Sequence, residues 1–167
     1  CSTGEEPYTL AMLIQETGQF PPGSVEIIAT DINKKVLRKA EKGLYHHGSF
    51  AFRKIPDKLL KKYVSDEDDG YQINSSIREM VQFQYLNLLN EDKVTNICEI
   101  DVIFCRNILI YFDQQTTKKV ISSLHKNLTP GGYLFLGHAE SITDMSLGFE
   151  KVDSEKTFYY RKEPGSE

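Results

Sequence analysis

The side chains best placed to do chemistry stand after apolar segments of the chain. Three short runs, 25–30, 81–85 and 101–105, are each followed by polar residues, and the last has the continuous apolar character of a buried strand. In an open α/β sheet the carboxyl ends of the strands form one edge, where ligands bind. The sequence therefore predicts a ligand site built from the residues after these runs: Asp31, Asn87, Leu88, Arg106 and Asn107.

A second group of candidate residues opens the chain at Thr3-Gly4-Glu5-Glu6. Glycine lets the backbone approach a ligand closely, and the helix predicted to follow offers its amino end. Two adjacent carboxylates would repel a pyrophosphate, but they suit a cationic ligand such as S-adenosylmethionine, which carries a sulfonium and an ammonium. The same glutamates could instead be first-turn acids that favour the helix dipole. The dinucleotide fingerprint Gly-x-Gly-x-x-Gly is absent, which argues against an oxidoreductase.

The residues predicted to hold a nucleoside also have ordinary structural explanations. Asp31 can accept hydrogen bonds from both hydroxyls of a ribose, or it can cap the following helix. Asn87 and Leu88 can bracket the edge and the face of an adenine, or they can be a turn asparagine beside a core leucine. The residues alone leave both explanations open.

Arg106 and Tyr111 follow the third apolar run and are further candidate residues. An arginine directly after a buried strand is costly without a partner. Its planar fork suits a substrate carboxylate, although a salt bridge to a local acid would serve as well. Tyr111 lies in an apolar run and could belong to the core. Cys105 is interpreted as a small buried hydrophobe rather than a nucleophile, because no catalytic base stands near it in the sequence.

Periodicity and capping signals predict the elements that position these residues. Helical spacing of Leu10, Leu13 and Ile14 predicts a first helix over about 6–16 with those residues on its apolar face. The other predicted elements are a strand at 25–30, a helix capped by Asn33 and ended by Gly43, a helix at 57–63 opened by Pro56, strands at 81–85 and 101–105, a helix at 114–128, a strand at 133–136 after the turn Pro130-Gly131-Gly132, and a hairpin of 149–152 with 157–161.

Strands that alternate with helices predict an α/β fold with a doubly wound, mostly parallel sheet. The closing antiparallel hairpin is more typical of class I S-adenosylmethionine-dependent, Rossmann-like methyltransferases than of dehydrogenases. We expect one domain over 1–167 with a small β-subdomain excursion at about 64–80. A loop of the Ser2-Thr3-Gly4 type normally follows a first, central strand. We therefore expect that strand to be missing and the chain to be a fragment of a longer protein.

Composition narrows the class of protein. The chain has 167 residues with 40% hydrophobic content, which is enough for a domain with a core. Its net charge of -4, without a long basic run, argues against a nucleic-acid partner. No apolar run reaches the length of a membrane span, and no signal peptide opens the chain, so no membrane insertion is predicted. The three cysteines are spaced like no zinc site and indicate a reducing, cytoplasmic location without a disulfide framework. The four histidines form no cluster of metal ligands.

Five motifs resemble the CheR-type methyltransferases in both order and spacing. They are Cys-Ser-Thr-Gly-Glu-Glu-Pro-Tyr at 1–8, Ala-Thr-Asp-Ile at 29–32, Asn-Leu-Leu at 87–89, Ile-Phe-Cys-Arg-Asn-Ile-Leu-Ile-Tyr-Phe at 103–112 and Pro-Gly-Gly-Tyr-Leu-Phe-Leu-Gly-His-Ala-Glu-Ser at 130–141. Members of this bacterial family transfer a methyl group from S-adenosylmethionine to glutamates of chemoreceptors, which leaves S-adenosylhomocysteine. The resemblance covers essentially the whole chain.

The resemblance implies a role for each matching position. Glu6, with Glu5 beside it, would hold the methionine part of the cofactor, and Asp31 would hold the ribose. Asn87 and Leu88 would line the adenine side. Arg106 and Asn107 would border the cofactor and the incoming glutamate. Tyr111 would lie near the methyl group and help to place the acceptor.

The resemblance also implies partners. They are the cytoplasmic helical bundles of chemoreceptors, whose methylation serves sensory adaptation. Family members have an amino-terminal helical domain that this chain lacks, so the resemblance does not imply activity for this chain alone. Some members capture a receptor tether with a glycine-rich loop. The corresponding stretch here, Ser65 to Gly70, is shorter and acidic, which indicates a member that needs no tether.

Two other function classes stay open at the level of sequence. A CheR-like domain in a larger signalling protein could bind the cofactor or a receptor as a non-catalytic scaffold. A class I methyltransferase could also act on a different protein or on a small carboxylate. Only the family resemblance favours the chemoreceptor as the substrate.

Overall fold

The computed structural model describes residues 1–142, 147–155 and 157–165. The chain divides into two compact units, Cys1–Leu86 and Asn87–Glu167. Among the described residues, none of the helices is both long and apolar enough to span a bilayer.

The first unit contains two groups of strands with helices packed on them. Its elements in chain order are α1 (Glu5–Thr17), β1 (Ile27–Asp31), α2 (Lys34–Lys42), β2 (Leu44–Tyr45), α3 (Asp57–Tyr63), β3 (Val64–Glu67), β4 (Gly70–Ile73), α4 (Ser75–Arg78) and β5 (Val81–Tyr85). Strands β1 and β5 are parallel neighbours, and β2, β4 and β3 form an antiparallel sheet in that order. The carboxyl ends of β1 and β5 therefore meet at Asp31 and Tyr85.

Local signals set the ends of these helices as predicted. Asn33 caps α2, because its side-chain oxygen accepts a hydrogen bond from the backbone N–H of Lys35. Gly43 ends the same helix in the left-handed conformation. Pro56 precedes α3, which covers the predicted residues 57–63.

The predicted apolar face of α1 is wrong in part. Tyr8, Ala11 and Met12 are buried, whereas Leu13 is exposed. The buried face is rotated because the aromatic ring of Tyr8 packs edge-on against Phe83. The Tyr8 hydroxyl donates a hydrogen bond to the carbonyl oxygen of Ala40, so a residue with a polar tip can lie in the core.

The second unit carries the apolar runs of the later part of the chain. Its elements are α5 (Glu91–Thr95), β6 (Ile100–Cys105), a 3-10 turn (Leu109–Tyr111), α6 (Gln114–Asn127), β7 (Leu128–Leu136), β8 (Phe149–Ser154) and β9 (Thr157–Lys162). The described strands form a sheet in the order β6-β7-β9-β8, with β6 and β7 parallel and the closing hairpin antiparallel. The predicted α/β architecture with a closing hairpin is confirmed.

Helix α6 supplies the core of this unit from the predicted face. Val120, Ile121 and Leu124 are buried, as is Leu128 just beyond the helix. The strand that follows begins earlier than predicted. Strand β7 starts at Leu128 rather than at Tyr133, and Pro130-Gly131-Gly132 lies within it at an irregularity of the pairing with β6.

Strand β6 forms where it is predicted, but most of its residues are not buried as predicted. Val102 is 42% exposed and Phe104 39% exposed, and only Cys105 of this strand is buried. The physical reason is its place in the described sheet, where β6 is an edge strand with β7 as its neighbour. Phe104 stacks on Phe135 of β7, so its ring still has an aromatic partner.

Candidate functional site

Asp31 stands at the carboxyl end of β1 and receives backbone donors from two directions. Its Oδ2 accepts the N–H of Ser2 at 2.8 Å, and its Oδ1 accepts the N–H of Asn33 at 2.8 Å. The backbone nitrogen of Cys1 lies 3.2 Å from Oδ2. Burial raises the pKa of Asp31 and the N–H donors of Asn33 and Ser2 lower it, and the net result is a pKa below its ordinary value.

The helix-cap explanation of Asp31 is wrong, because Asn33 occupies that position on α2. The Asp31 side chain is 20% exposed, so an ionised carboxylate reaches the surface at the end of a strand. A carboxylate has about four lone-pair sites. Three donors of the chain therefore leave one acceptor site, on Oδ1, for a hydroxyl donor of a ligand.

Gly4 is required by conformation and by packing. Its φ of 92° lies in the left-handed region. A Cβ at this position would lie 3.0 Å from the Cβ of Ala40 and 3.2 Å from Cζ of Phe83. The space that a side chain would fill is therefore occupied by protein. Packing and backbone conformation both require glycine here, and the close approach to a ligand stays a prediction.

Glu5 and Glu6 begin α1 and are half-buried. The hydroxyl of Thr3 donates to Oε1 of Glu5 at 2.6 Å. The Tyr45 hydroxyl donates to the carbonyl oxygen of Thr3 at 2.7 Å, which fixes the turn before the helix. Burial, followed by the charge of Glu5, raises the pKa of Tyr45, so its hydroxyl stays a donor.

Asn87 and Leu88 form the turn that opens the second unit. Oδ1 of Asn87 accepts the N–H of Leu89 at 3.0 Å, and its carbonyl oxygen accepts the N–H of Asn90. Both residues are half-buried. The asparagine oxygen thus makes the turn, as the structural explanation of this residue holds, and adenine binding by these two residues stays a prediction.

The loop after β6 carries Arg106, Asn107 and Tyr111. Asn107 adopts a left-handed φ of 58°, and the chain then enters the 3-10 turn 109–111. Tyr111 is 79% exposed, so the explanation that it belongs to the core is wrong. Its position at the end of a short 3-10 turn, rather than on a strand face, explains the exposure.

Arg106 is exposed as well. The premise that Arg106 is buried is therefore wrong, because the loop after β6 reaches the surface. Arg106 directly follows the carboxyl end of β6, and the planar fork of its guanidinium suits a carboxylate.

Cys105 fits the interpretation as a buried hydrophobe. The residue is 3% exposed. Burial, and next the charge of Glu140, raises the pKa of its thiol to about 12, so the nucleophilic thiolate is scarce near neutral pH.

Glu140 is the residue of this site that sequence reasoning missed. The residue is 4% exposed, and its carboxylate accepts backbone N–H groups of the Arg106–Tyr111 loop. The sequence signal was Gly137-His138-Ala139-Glu140, a turn directly after an apolar strand. That turn is present, since the Glu140 N–H donates to the carbonyl oxygen of Gly137.

The structure brings the predicted residues together in two groups. In the first unit the turn before Glu5 and Glu6 lies against Asp31 through the Ser2 N–H. In the second unit Arg106, Asn107 and Tyr111 share one loop at the carboxyl end of β6.

The hydrogen-bond acceptors of the first group fit a cationic nucleoside. Three carboxylates at the end of β1 and the start of α1 can accept hydrogen bonds from an ammonium and from ribose hydroxyls. Such a set is unsuited to phosphates, because like charges repel. Within the described ranges, no group of three or more His, Cys, Asp or Glu side chains is arranged to hold a metal ion.

Comparison with known proteins gives one consistent family. Residues 1–158 match the family described as "CheR methyltransferase, SAM binding domain". The chain is 40% identical over 168 residues to "Chemotaxis protein methyltransferase 2" of Vibrio cholerae serotype O1, which covers 99% of this chain and 58% of that protein. It is 34% identical to "Chemotaxis protein methyltransferase 1" of Pseudomonas aeruginosa, with 96% and 60% covered.

Similarity to a solved structure bears only on the fold of the chain. The rRNA methyltransferase aviRa of Streptomyces viridochromogenes superposes with a TM-score of 0.57 at 12% identity, which covers 97% of this chain and 73% of that one. The fold is that of class I methyltransferases. The chain spans about 60% of the length of the curated relatives described above. It belongs to the CheR methyltransferase family, of which it is the S-adenosylmethionine-binding domain.

Proposed function

We propose that this domain takes part in the transfer of a methyl group from S-adenosylmethionine to glutamate carboxylates of chemoreceptors in the bacterial cytoplasm. The products would be glutamate methyl esters and S-adenosylhomocysteine. The observation that carries the proposal is the ordered loop with exposed Arg106 and Tyr111 at the carboxyl end of β6 in a chain of the CheR family. The names of the relatives support the chemotaxis context.

The first group of residues would hold the cofactor. Glu5 and Glu6 would accept its ammonium, and Asp31 would accept the ribose hydroxyls. Asn87 and Leu88 would line the adenine, and Arg106 and Asn107 would border the cofactor. S-adenosylmethionine supplies an electrophilic methyl group when bound. The carboxylates also place negative charge where a sulfonium would be stabilised.

The acceptor needs no general base. A glutamate with a pKa of about 4.3 is ionised at neutral pH and is already a nucleophile. The contribution of the domain would be alignment of the acceptor and exclusion of water. Arg106 would orient the acceptor carboxylate, and the Tyr111 ring would cover the approach. A strong bidentate grip by Arg106 would hold the acceptor back, so orientation rather than tight binding is the expected role.

We propose that the receptor is engaged without a tether peptide. The stretch predicted to correspond to the tether-binding loop forms the β3–β4 hairpin, in which Glu67 pairs with Gly70 across the two residues Asp68 and Asp69. A turn this short offers no glycine-rich loop. A receptor fragment that lacks its carboxyl-terminal tail should be methylated within about twofold of the rate of the intact fragment, a difference below 0.5 kcal/mol.

The experiment is methyl transfer from radiolabelled S-adenosylmethionine to a cytoplasmic receptor fragment by the full-length protein. Label released as methanol by mild alkali identifies a carboxyl methyl ester. A fragment whose candidate glutamates are replaced by alanine is the matched control. Cofactor binding without ester formation would support a scaffold instead, and alkali-stable label would indicate another acceptor.

A further inference from the structure

Glu140 lies inside the second unit and accepts five backbone N–H groups. Its Oε1 accepts those of Ile108 at 2.9 Å, Leu109 at 2.8 Å and Ile110 at 3.4 Å. Its Oε2 accepts those of Asn107 at 2.8 Å and of Gly137 at 2.7 Å. Four of the five donors belong to the loop that carries Arg106 and Tyr111.

The lone pairs of this carboxylate are fully used. A carboxylate offers about four lone-pair sites, and five donors converge on Glu140. With 4% of the residue exposed, it has no free acceptor for a ligand and no route to serve as a base. Any effect of Glu140 on a ligand must therefore act through the residues whose N–H groups it binds.

Gly137 makes the approach of Glu140 to the loop possible. A Cβ at position 137 would lie 2.6 Å from Oε2 of Glu140 and 3.1 Å from the backbone nitrogen of Asn107. Any side chain there would separate the carboxylate from the loop. Strands β6 and β7 are parallel neighbours with Cys105 opposite Leu136, so both loops leave the same edge of the sheet.

The loop bound by Glu140 has an uncommon backbone conformation. Asn107 is left-handed at a φ of 58°, a region that residues other than glycine seldom adopt. The 3-10 turn that follows exposes Ile110 and Tyr111. The N–H donors of 107–110 all point to one acceptor, which fixes the path of the backbone between them.

We propose that Glu140 is a positioning residue for methyl transfer: it sets the backbone of 106–111 and, through it, the placement of Arg106 and Tyr111. This inference rests on the proposed function and assigns no contact between Glu140 and substrate. The role requires an ionised, acceptor-only side chain of this length.

The first experiment compares Glu140→Gln with a matched control in the full-length protein. Glutamine has the same size, but its amide nitrogen donates and would face N–H groups. The control is Lys162→Met, which removes another buried charged group whose Nζ donates to the carbonyl oxygens of His125 and Leu128. The control should disturb the same unit away from the loop.

In Glu140→Gln we expect amide hydrogen exchange at 107–109 to accelerate at least tenfold and kcat for methyl transfer to fall about 100-fold. In Lys162→Met both should stay within about twofold. Unchanged exchange at 107–109 in Glu140→Gln would overturn the inference. So would an equal loss of kcat in the control.

The second experiment is a double-mutant cycle with Tyr111→Ala. If Glu140 acts through the loop, the double variant should lose no more than about threefold in kcat beyond the worse single variant. Fully multiplicative losses would show that the two residues act independently, and would contradict the inference. Should Glu140→Gln fail to fold, Gly137→Ala tests the same separation of carboxylate and loop.

The two readouts separate this inference from the proposed function. If the wild-type protein protects amides 107–109 from exchange but methylates no receptor fragment, the proposed function is refuted and the hydrogen bonding of the loop by Glu140 is not. If the wild type is active but Glu140→Gln leaves exchange at 107–109 unchanged, only the role of Glu140 is refuted.

Discussion

Asp31 and Glu140 are two carboxylates that bind backbone N–H groups at strand ends, and they differ in what they have left to offer. The Asp31 side chain is 20% exposed and accepts from the backbone nitrogens of Cys1, Ser2 and Asn33. Glu140 is 4% exposed and accepts from five backbone groups. The first therefore keeps acceptor capacity at the surface, and the second has none.

The difference shows how one functional group can serve either as a binding group or as a support. Saturation of the lone pairs decides between the two roles more clearly than the residue type does. Asp31 is suited to receive ligand donors directly, whereas Glu140 is suited to present other residues. Four predictions test this distinction, from the largest expected effect to the smallest.

The largest effect concerns the thiol beside Glu140. Burial and the charge of Glu140 raise the pKa of Cys105 to about 12, while Cys98 is exposed. At pH 8 the thiolate fraction of Cys105 should be on the order of 10³-fold below that of an ordinary thiol with a pKa of about 8.5. Iodoacetamide labelling followed by peptide mass analysis should therefore modify Cys98 and spare Cys105.

Because Cys105 and Glu140 are both buried, labelling of Cys105 requires the structure around them to open. Equal labelling rates at the two cysteines in native protein would break the comparison, because they would mean that this region opens readily. Labelling in denaturant, where both thiols are exposed, is the control for intrinsic reactivity.

Replacement of Arg106 tests the side chain that the Glu140 loop presents. Arg106→Ala should lower kcat for methyl transfer about 100-fold, because acceptor orientation contributes at the level of a charged hydrogen bond. Affinity for S-adenosylhomocysteine should fall by no more than about tenfold. Arg161→Ala, an exposed arginine of β9 in the same unit, should leave both values unchanged. Survival of receptor methylation in Arg106→Ala would contradict its assigned role.

Asp31→Asn tests the open carboxylate. The substitution preserves shape and removes the charge, so affinity for S-adenosylhomocysteine in calorimetric titration should fall about tenfold, which corresponds to about 1.4 kcal/mol. The matched control is Asp113→Asn, whose carboxylate accepts the Thr116 N–H at the start of α6. Equal losses of affinity in both variants would show that helix or loop stability, rather than a ligand contact, is responsible.

The smallest effect belongs to a third carboxylate, which binds side chains instead of backbone. Hydrogen bonds from Lys62, Tyr63 and Lys58 lower the pKa of Glu16 from 4.5 to about 2. Because the pKa in the folded state lies below that of the unfolded chain, the stabilisation is complete above about pH 4.5 and is lost as pH falls toward 2.

The free energy of unfolding of wild type and Glu16→Gln should therefore differ by a small, constant amount above about pH 4.5 and converge below it. Denaturant titrations across pH 2.5 to 6, at ~0.5 unit intervals and one ionic strength, measure it. A difference that grows on acidification would contradict the assignment of these hydrogen bonds.

Local signals made much of the fold predictable. Asn33, Gly43 and Pro56 set helix ends through their own side chains or backbone freedom, and the structure places them as predicted. The face of α6 was predictable for a similar reason, since its apolar residues recur at helical spacing. These features depend on residues within a few positions of one another.

Features that depend on distant partners were not predictable in the same way. The exposure of Val102 follows from the edge position of β6, and sequence gives no direct measure of that position. The residue that packs α1 is Tyr8 rather than Leu13, because Ala40 and Phe83 provide its partners.

The site residues divide along the same line. Asp31 and Arg106 were predicted as site residues because each stands at or just after a strand end, and Tyr111 because the family resemblance implies a role for it. Glu140 was missed because its hydrogen bonds join residues that lie 30 to 33 positions apart in the chain. A glutamate in a turn carries no sequence signal that its oxygens are saturated.

The distance between Glu140 and its loop also has a consequence for biosynthesis. At about 5–20 residues per second, a ribosome synthesises Asn107 some seconds before Glu140. Until Glu140 has emerged and β7 has paired with β6, the N–H groups of 107–110 have no carboxylate to bind. The loop 106–111 of a nascent chain is therefore left without the carboxylate that binds its N–H groups until residue 140 has been synthesised. A truncated product ending before residue 140 would carry Arg106 and Tyr111 on an unorganised segment.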